Sequence, residues 1–222
     1  MLRIIKTQKK YNREPVLDIP LLQVEKGIYW LQGINGSGKT TLLRMIAGLT
    51  PFEGEIFIND VSSRKSPVLY RRQVSWADAE PLYPVFITGR ELIDFYSNIR
   101  KASAGQVHAL IDAFGVRSYL PNPIGSYSSG MVKRLSLLVA LIGRPSLILL
   151  DEPLATLDTE VAGLLPEIMN QRHQELDTSF IFSSHQAFPG NALTIDRRLL
   201  LTSKNIQFAD GYDQDRIIQV HC

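Results

Sequence analysis

Between Gly33 and Thr40 the chain reads Gly-Ile-Asn-Gly-Ser-Gly-Lys-Thr, which is the spacing of a phosphate-binding loop. Each residue type has a task in that chemistry. Glycines let the backbone wrap with its N–H groups turned inward onto phosphate oxygens. A helix that follows directly presents its N-terminal dipole and unpaired N–H groups to the same anion. Lys39 is placed to reach the β- and γ-phosphates of a nucleoside triphosphate, and the Thr40 hydroxyl to ligate Mg²⁺.

Asp151 and Glu152 follow the apolar run Leu147–Leu150, at the strand end where open α/β sheets bind ligands. Asp151 suits Mg²⁺, commonly through water, and Glu152 suits the polarisation of an attacking water. By itself such a pair commonly caps a helix; an upstream phosphate loop favours the catalytic reading. His185, in Ser183-Ser184-His185 after the apolar Phe180–Phe182, is placed to contact a γ-phosphate, although a lone histidine is more often structural. Ser128, Ser129 and Gly130 precede an apolar periodic segment from Met131 and form a second anion site at a helix start. A routine N-cap would look the same. One nucleotide needs one phosphate loop, so this second site is suited to a nucleotide held by another subunit.

The elements that must position these groups alternate. Ile28–Leu31 is β-branched and aromatic and predicts a strand before the glycine turn; Lys39–Gly48 has helical spacing, with Gly48 as C-cap and Pro51 beyond it. Glu55–Asn59 predicts a short antiparallel strand. Glu91–Lys101, Gln106–Phe114 and Met131–Ile142 predict helices, with a loop at Pro121–Ser126. Leu147–Leu150 reads as a buried parallel strand, Val161–His173 as a helix, Phe180–Ser183 as a buried strand, and Arg198–Thr202 with Ile206–Phe208 as a closing hairpin. The order predicts an α/β core interrupted by a helical block from about Leu82 to Ile142.

The chain has 222 residues, 45% hydrophobic and 21% charged, with 24 basic and 22 acidic side chains. That is enough for a substantial core without disulfides or a structural metal. The densest basic stretch, Arg3 to Arg13, reads as a solvated strand and turn, and nothing in the composition calls for nucleic acid. The single cysteine, Cys222, excludes an internal disulfide and fits a reducing compartment. The start carries no signal-peptide pattern and no apolar run reaches membrane length, so a membrane role is expected through a partner.

Together these residues resemble the ATP-binding domain of ABC transporters over about Ile4 to Phe208. Gly33–Thr41 is similar to the family's Walker A motif, which makes Asn35, Gly36, Ser37, Gly38, Lys39, Thr40 and Thr41 the ATP-binding set. Leu147–Glu152 resembles Walker B with the catalytic Glu152, and His185 the switch histidine. Tyr127–Met131 stands at the signature position and Leu154–Asp158 at the D-loop, so Ser128, Ser129, Gly130 and Asp158 are expected to cap a partner's ATP. Tyr11 stands where the family places an adenine-stacking aromatic, although a tyrosine near a strand end usually packs. The resemblance implies the P-loop ABC ATPase fold as one domain over residues 1–222: a RecA-like core at about 1–81 and 143–222, an antiparallel β-subdomain, and a helical subdomain at about 82–142. It further implies ATP and Mg²⁺, a head-to-tail dimer with a second nucleotide-binding subunit, identical or related, and separate transmembrane permease subunits. The expected location is cytoplasmic, held by those subunits at the inner face of the cell membrane.

Ser129 and Met131 depart from the family's Leu-Ser-Gly-Gly-Gln signature, while Ser128 and Gly130 keep the hydroxyl and one close backbone approach. The Q-loop glutamine falls on Asp78, a third candidate metal ligand beside Thr40 and Asp151, whose charge would alter the γ-phosphate environment. The docking groove would run from about Asp78 to Arg100, with Phe86 and Phe95 as candidate contacts and core packing expected for at least one. A GTPase would need an Asn-Lys-x-Asp guanine reader, which is missing; a kinase would need neither the signature nor the histidine. The expected function is ATP-driven transport, export favoured by the simple layout. The alternative is a soluble ABC-type ATP switch on a non-transport assembly.

Overall fold

In the computed structural model, residues 1–186, 188 and 192–209 are described; Cys222 lies outside them. Two sheets form. The first is antiparallel, in the order β2-β1-β4-β5, from β1 (Leu2–Tyr11), β2 (Glu14–Val24), β4 (Glu53–Ile58) and β5 (Val61–Ser62). The second follows the order β10-β9-β3-β8-β7-β6, from β3 (Ile28–Gln32), β6 (Val74–Ala77), β7 (Leu147–Asp151), β8 (Ser179–Ser183), β9 (Arg197–Thr202) and β10 (Asn205–Phe208). Its strands pair in parallel except for the edge strand β10.

The buried parallel strands alternate between two cores, as the two-residue period of a strand requires. Ile28, Trp30, Ile148, Leu150, Phe180 and Phe182 face one core, while Tyr29, Leu31, Leu147, Leu149 and Ile181 face the other. In the second core, α1 (Lys39–Ile46) lies between the sheets and buries Leu42, Leu43, Met45 and Ile46. The first core takes α3 (Gly89–Arg100), α4 (Ala104–Ala113), α5 (Ser129–Leu141) and α6 (Thr159–Leu176). The helices between β6 and β7 pack on the sheet through α5, and their buried residues are continuous with its core.

β1 forms where the basic stretch predicted a strand, whereas β2, α2 (Pro67–Gln73) and β6 were not predicted. The basic residues of β1 and the turn after it behave as expected: Arg3 pairs with the exposed Asp60 at 3.2 Å, and Lys6, Lys10 and Arg13 reach solvent. A bulge at Lys6–Thr7 brings β1 against Gly54, whose φ is +97° and where an added Cβ would sit 2.2 Å from the Lys6 carbonyl oxygen. Only glycine fits there.

Candidate functional site

β3 feeds the Gly33–Gly38 turn and α1 begins at Lys39, so the glycine loop sits at the C-terminal edge of the parallel sheet. Gly38 has φ +104°, and an added Cβ would lie 3.2 Å from both Val16 and Leu17 of β2. The left-handed conformation favours glycine there, and the two neighbouring side chains leave little room for a Cβ. Lys39 folds across the loop, its ammonium donating to the Gly33 carbonyl at 2.8 Å and the Ile34 carbonyl at 3.2 Å. Burial pushes its pKa down, against the pull of the Glu152 and Asp151 carboxylates.

Thr40 Oγ1 donates to Asp151 Oδ2 at 2.7 Å, joining the loop helix to the end of β7. Asp151 is buried, and its other oxygen accepts from Ser183 Oγ at 2.5 Å. Glu152 turns out of the strand with a left-handed φ of +43°. Its N–H is shared between the carbonyl and the hydroxyl of Ser183, each at 3.1 Å. Its Oε2 accepts from the His185 N–H at 3.2 Å, and the His185 Nε2 lies 3.4 Å from Oε1. Non-glycine residues in such backbone are held there by their surroundings, and they concentrate at functional sites.

Two buried oxygens here have no hydrogen-bond partner among the described residues: Ser37 Oγ on the loop and Glu152 Oε1. The hydroxyl suits a phosphate oxygen and the carboxylate a water. Among the described residues no three His, Cys, Asp or Glu side chains gather as a metal cage. A hydroxyl and a carboxylate in contact, beside a loop built for phosphate, nevertheless fit Mg²⁺, which takes few protein ligands and completes its shell with phosphate and water. A cavity of about 930 Å³ opens beside the loop, walled by Pro15, Val16, His185 and Ser203 among others.

Not every expected residue joins this centre. Asn35 and Gly36, exposed on the loop, do line the cavity, and Thr41 follows on α1. Tyr11 does not line the cavity. It stands at the end of the β1–β2 hairpin, 48% exposed and under the Lys9 ammonium, and Pro15 and Val16 of β2 form the wall instead. The Asp78 carboxylate is held at 2.7 Å by Arg44, one turn beyond Thr40 on α1. Phe86 and Phe95 are 80% and 58% exposed, so neither packs in the core. Phe95 and Ile99 share the outward face of α3, whose inner face buries Leu92 and Ile93.

Ser128 caps α5 through the Met131 N–H at 3.3 Å, and an added Cβ on Gly130 would lie 3.1 Å from the Thr156 carbonyl. Asp158 caps α6 through the Val161 N–H at 3.2 Å and pairs with Arg134 of α5. Ser128, Ser129, Gly130 and Asp158 are thus one neighbourhood. No hydrogen bond or ion pair among the described residues links it to the loop of the same protomer.

Sequence reasoning missed Ser183, which holds the Asp151 carboxylate and the Glu152 backbone N–H, and Lys133. The Lys133 ammonium, fully buried, donates to the carbonyls of Asp78 at 2.8 Å, Ala79 at 3.2 Å and Asp151 at 3.1 Å. Burial pushes its pKa down to about 8, opposed by Asp151, Asp78 and Glu152. Ser183 was visible only as a small polar residue ending an apolar strand; Lys133 gave no signal.

A family profile described as ABC transporter matches residues 20–155. The chain is 32% identical over 185 residues to the ABC transporter ATP-binding protein NatA of Bacillus subtilis, covering 80% of this chain and 74% of NatA. It is also 32% identical over 193 residues to the cytochrome c biogenesis ATP-binding export protein CcmA of Legionella pneumophila, covering 86% and 96%. Of other curated relatives it spans about half the length, such as 54% of the spermidine/putrescine import protein PotA of Fusobacterium nucleatum. A solved ATP-binding subunit of an ABC transporter superposes with a TM-score of 0.84 at 23% identity, covering 95% of this chain and 90% of that one. An ATP-binding cassette dimer bound to ADP and Pi gives 0.79 at 17% identity, covering 96% and 100%.

Proposed function

Because the chain belongs to the ABC transporter family of ATP-binding ATPases, we propose that it powers transport as one of two nucleotide-binding subunits closing head to tail on ATP. The second subunit is another copy or a relative, and separate membrane permeases, docked from the cytoplasmic side, take up the movement. The observation that carries this is the 2.7 Å contact between Thr40 and Asp151, which joins the phosphate loop to the two strand-end carboxylates.

In this reading the loop N–H groups from Asn35 to Thr41 and the Lys39 ammonium take the phosphates of ATP. To do so, Lys39 exchanges its loop carbonyls for phosphate oxygens, and Ser37 gains the acceptor it lacks. Thr40 and Asp151 would hold Mg²⁺, which neutralises charge on the phosphate oxygens when bound. Glu152 accepts a proton from the attacking water, and His185, within 3.4 Å, steadies that carboxylate. Glu152 Oε1 makes no hydrogen bond among the described residues and lies 3.4 Å from His185 Nε2, which leaves it able to accept that proton.

Ser128, Ser129, Gly130 and Asp158 would cap the partner's ATP; the absence, among the described residues, of a hydrogen bond or ion pair from them to their own loop supports that reading. No helix among the described residues is long and apolar enough to cross a membrane. Leu82 and Phe86, 94% and 80% exposed, lie with Phe95 at the start of the 82–142 block and give a permease an apolar foothold. Relatives are named for import and for export, and the ATP cycle proposed here is common to both.

Light scattering of Glu152→Gln with ATP and Mg²⁺ tests the proposal. The expected mass doubles from 25.0 kDa only when ATP is present. A monomer under all conditions, with ATP bound, refutes closure by this chain on its own.

A further inference from the structure

The interior of α5 holds one charge. Leu135, Leu137, Leu138, Val139 and Leu141 are apolar and buried, yet Lys133 on the same helix is 0% exposed. Taking an ammonium out of water is tolerated only when its donors are satisfied. Lys133 has three N–H donors and three carbonyl acceptors, those of Asp78, Ala79 and Asp151. A leucine or methionine would fill the space without that desolvation penalty, so packing does not account for the residue.

The three carbonyls belong to different working parts. Asp78 and Ala79 follow β6 and lead into the exposed Leu82–Phe86 surface, and the Asp78 side chain is also held by Arg44 of the phosphate-loop helix. Asp151 ends β7 and precedes Glu152. Lys133 itself lies five residues beyond Ser128, the cap of the helix that presents the partner-facing loop. One ammonium therefore ties the docking loop, the hydrolytic strand end and the partner-capping helix at a single point.

We propose that Lys133 is a positioning residue for hydrolysis, holding the Asp151–Glu152 backbone in register with the 78–79 loop so that displacement of that loop shifts Glu152. The inference rests on the assignment of Glu152 as the base. Lys133 touches no residue of the Gly33–Thr41 loop, so its loss spares nucleotide binding and lowers turnover.

The test compares wild type, Lys133→Met, Lys133→Gln and Glu152→Gln by ATP affinity, kcat and KM, and melting midpoint. Methionine is expected to keep ATP affinity within about threefold while kcat falls at least about tenfold, because charge-assisted hydrogen bonds are lost at the strand end. Glutamine, a neutral donor, is expected to recover much of that loss. The proposal fails if Lys133→Met turns over within twofold of wild type, if affinity and kcat fall in parallel, or if glutamine is no better than methionine. Should the methionine variant not fold, the glutamine variant decides: kcat lowered about threefold at unchanged affinity supports the proposal, and wild-type kcat or a parallel loss of affinity overturns it. Normal hydrolysis by Glu152→Gln would remove the base assignment itself; a dead Glu152→Gln beside a normal Lys133→Met removes only the role given to Lys133.

Discussion

Replacing Ser183 with alanine tests whether β8 organises the hydrolytic carboxylates. Its hydroxyl donates to Asp151 Oδ1 at 2.5 Å and accepts from the Glu152 N–H at 3.1 Å, and both Ser183 and Asp151 are buried. Alanine leaves Asp151 Oδ1 without that donor, while the Glu152 N–H keeps the Ser183 carbonyl at 3.1 Å. The main loss is one buried hydrogen bond to a charged group, about 2 kcal/mol. In urea that moves the unfolding midpoint down by roughly 0.7–1 M for a domain of this size. If the same energy is lost from the transition state, turnover falls about 30-fold, at tenfold per 1.4 kcal/mol. Phosphate release at saturating ATP, with affinity measured separately, gives the second number. A variant with an unchanged midpoint and unchanged turnover would show that the Ser183 contact orients neither carboxylate.

Lys39→Ala should lose tight ATP binding while remaining folded, because its ammonium bonds only to exposed or half-buried loop carbonyls; retained affinity in a titration would remove it from the site. Asp78→Ala should leave the Mg²⁺ concentration for half-maximal hydrolysis unchanged and cost about 1 kcal/mol through the Arg44 pair, which a Mg²⁺ titration beside a urea melt reads directly. Gly54→Ala should destabilise by about 3 kcal/mol or more, since its Cβ meets the Lys6 carbonyl at 2.2 Å, and thermal unfolding checks it. Serine in place of both Phe86 and Phe95 should change stability by less than about 1 kcal/mol, because both rings are exposed, yet abolish co-sedimentation with membranes carrying the permease.

The phosphate loop and the carboxylate strand were legible because each is local: strand, glycines and helix follow one another, and Leu147–Leu150 is apolar without interruption. β6 was not, since Val74-Ser75-Trp76-Ala77 is short and mixed, and its strand character comes from pairing with β7. Lys133 was hidden by residue type. A lysine between Val132 and Arg134 reads as a solvated helix face, and its three acceptors lie 55, 54 and 18 residues away in sequence. The Asp78 ion pair was hidden for the same kind of reason: Asp78 was read from its place at the Q-loop, and the Arg44 that holds its carboxylate lies 34 residues upstream. Phe86 and Phe95 were expected to put at least one ring in the core on the strength of side-chain chemistry, but α3 turns Leu92 and Ile93 inward and leaves Phe95 on the other side.

The order β9-β3-β8-β7 also sets a timetable for synthesis. β3, which carries the phosphate loop, is flanked by β8 and β9, both made late. At 5–20 residues per second the ribosome finishes Thr41 roughly 7–28 s before Ser183. Through that interval the loop exists without either of its sheet neighbours, and for most of it Thr40 is without Asp151, 111 residues downstream. A nascent chain can therefore carry the whole glycine motif and still be unable to hold ATP, so nucleotide capture reports that the C-terminal strands have been inserted.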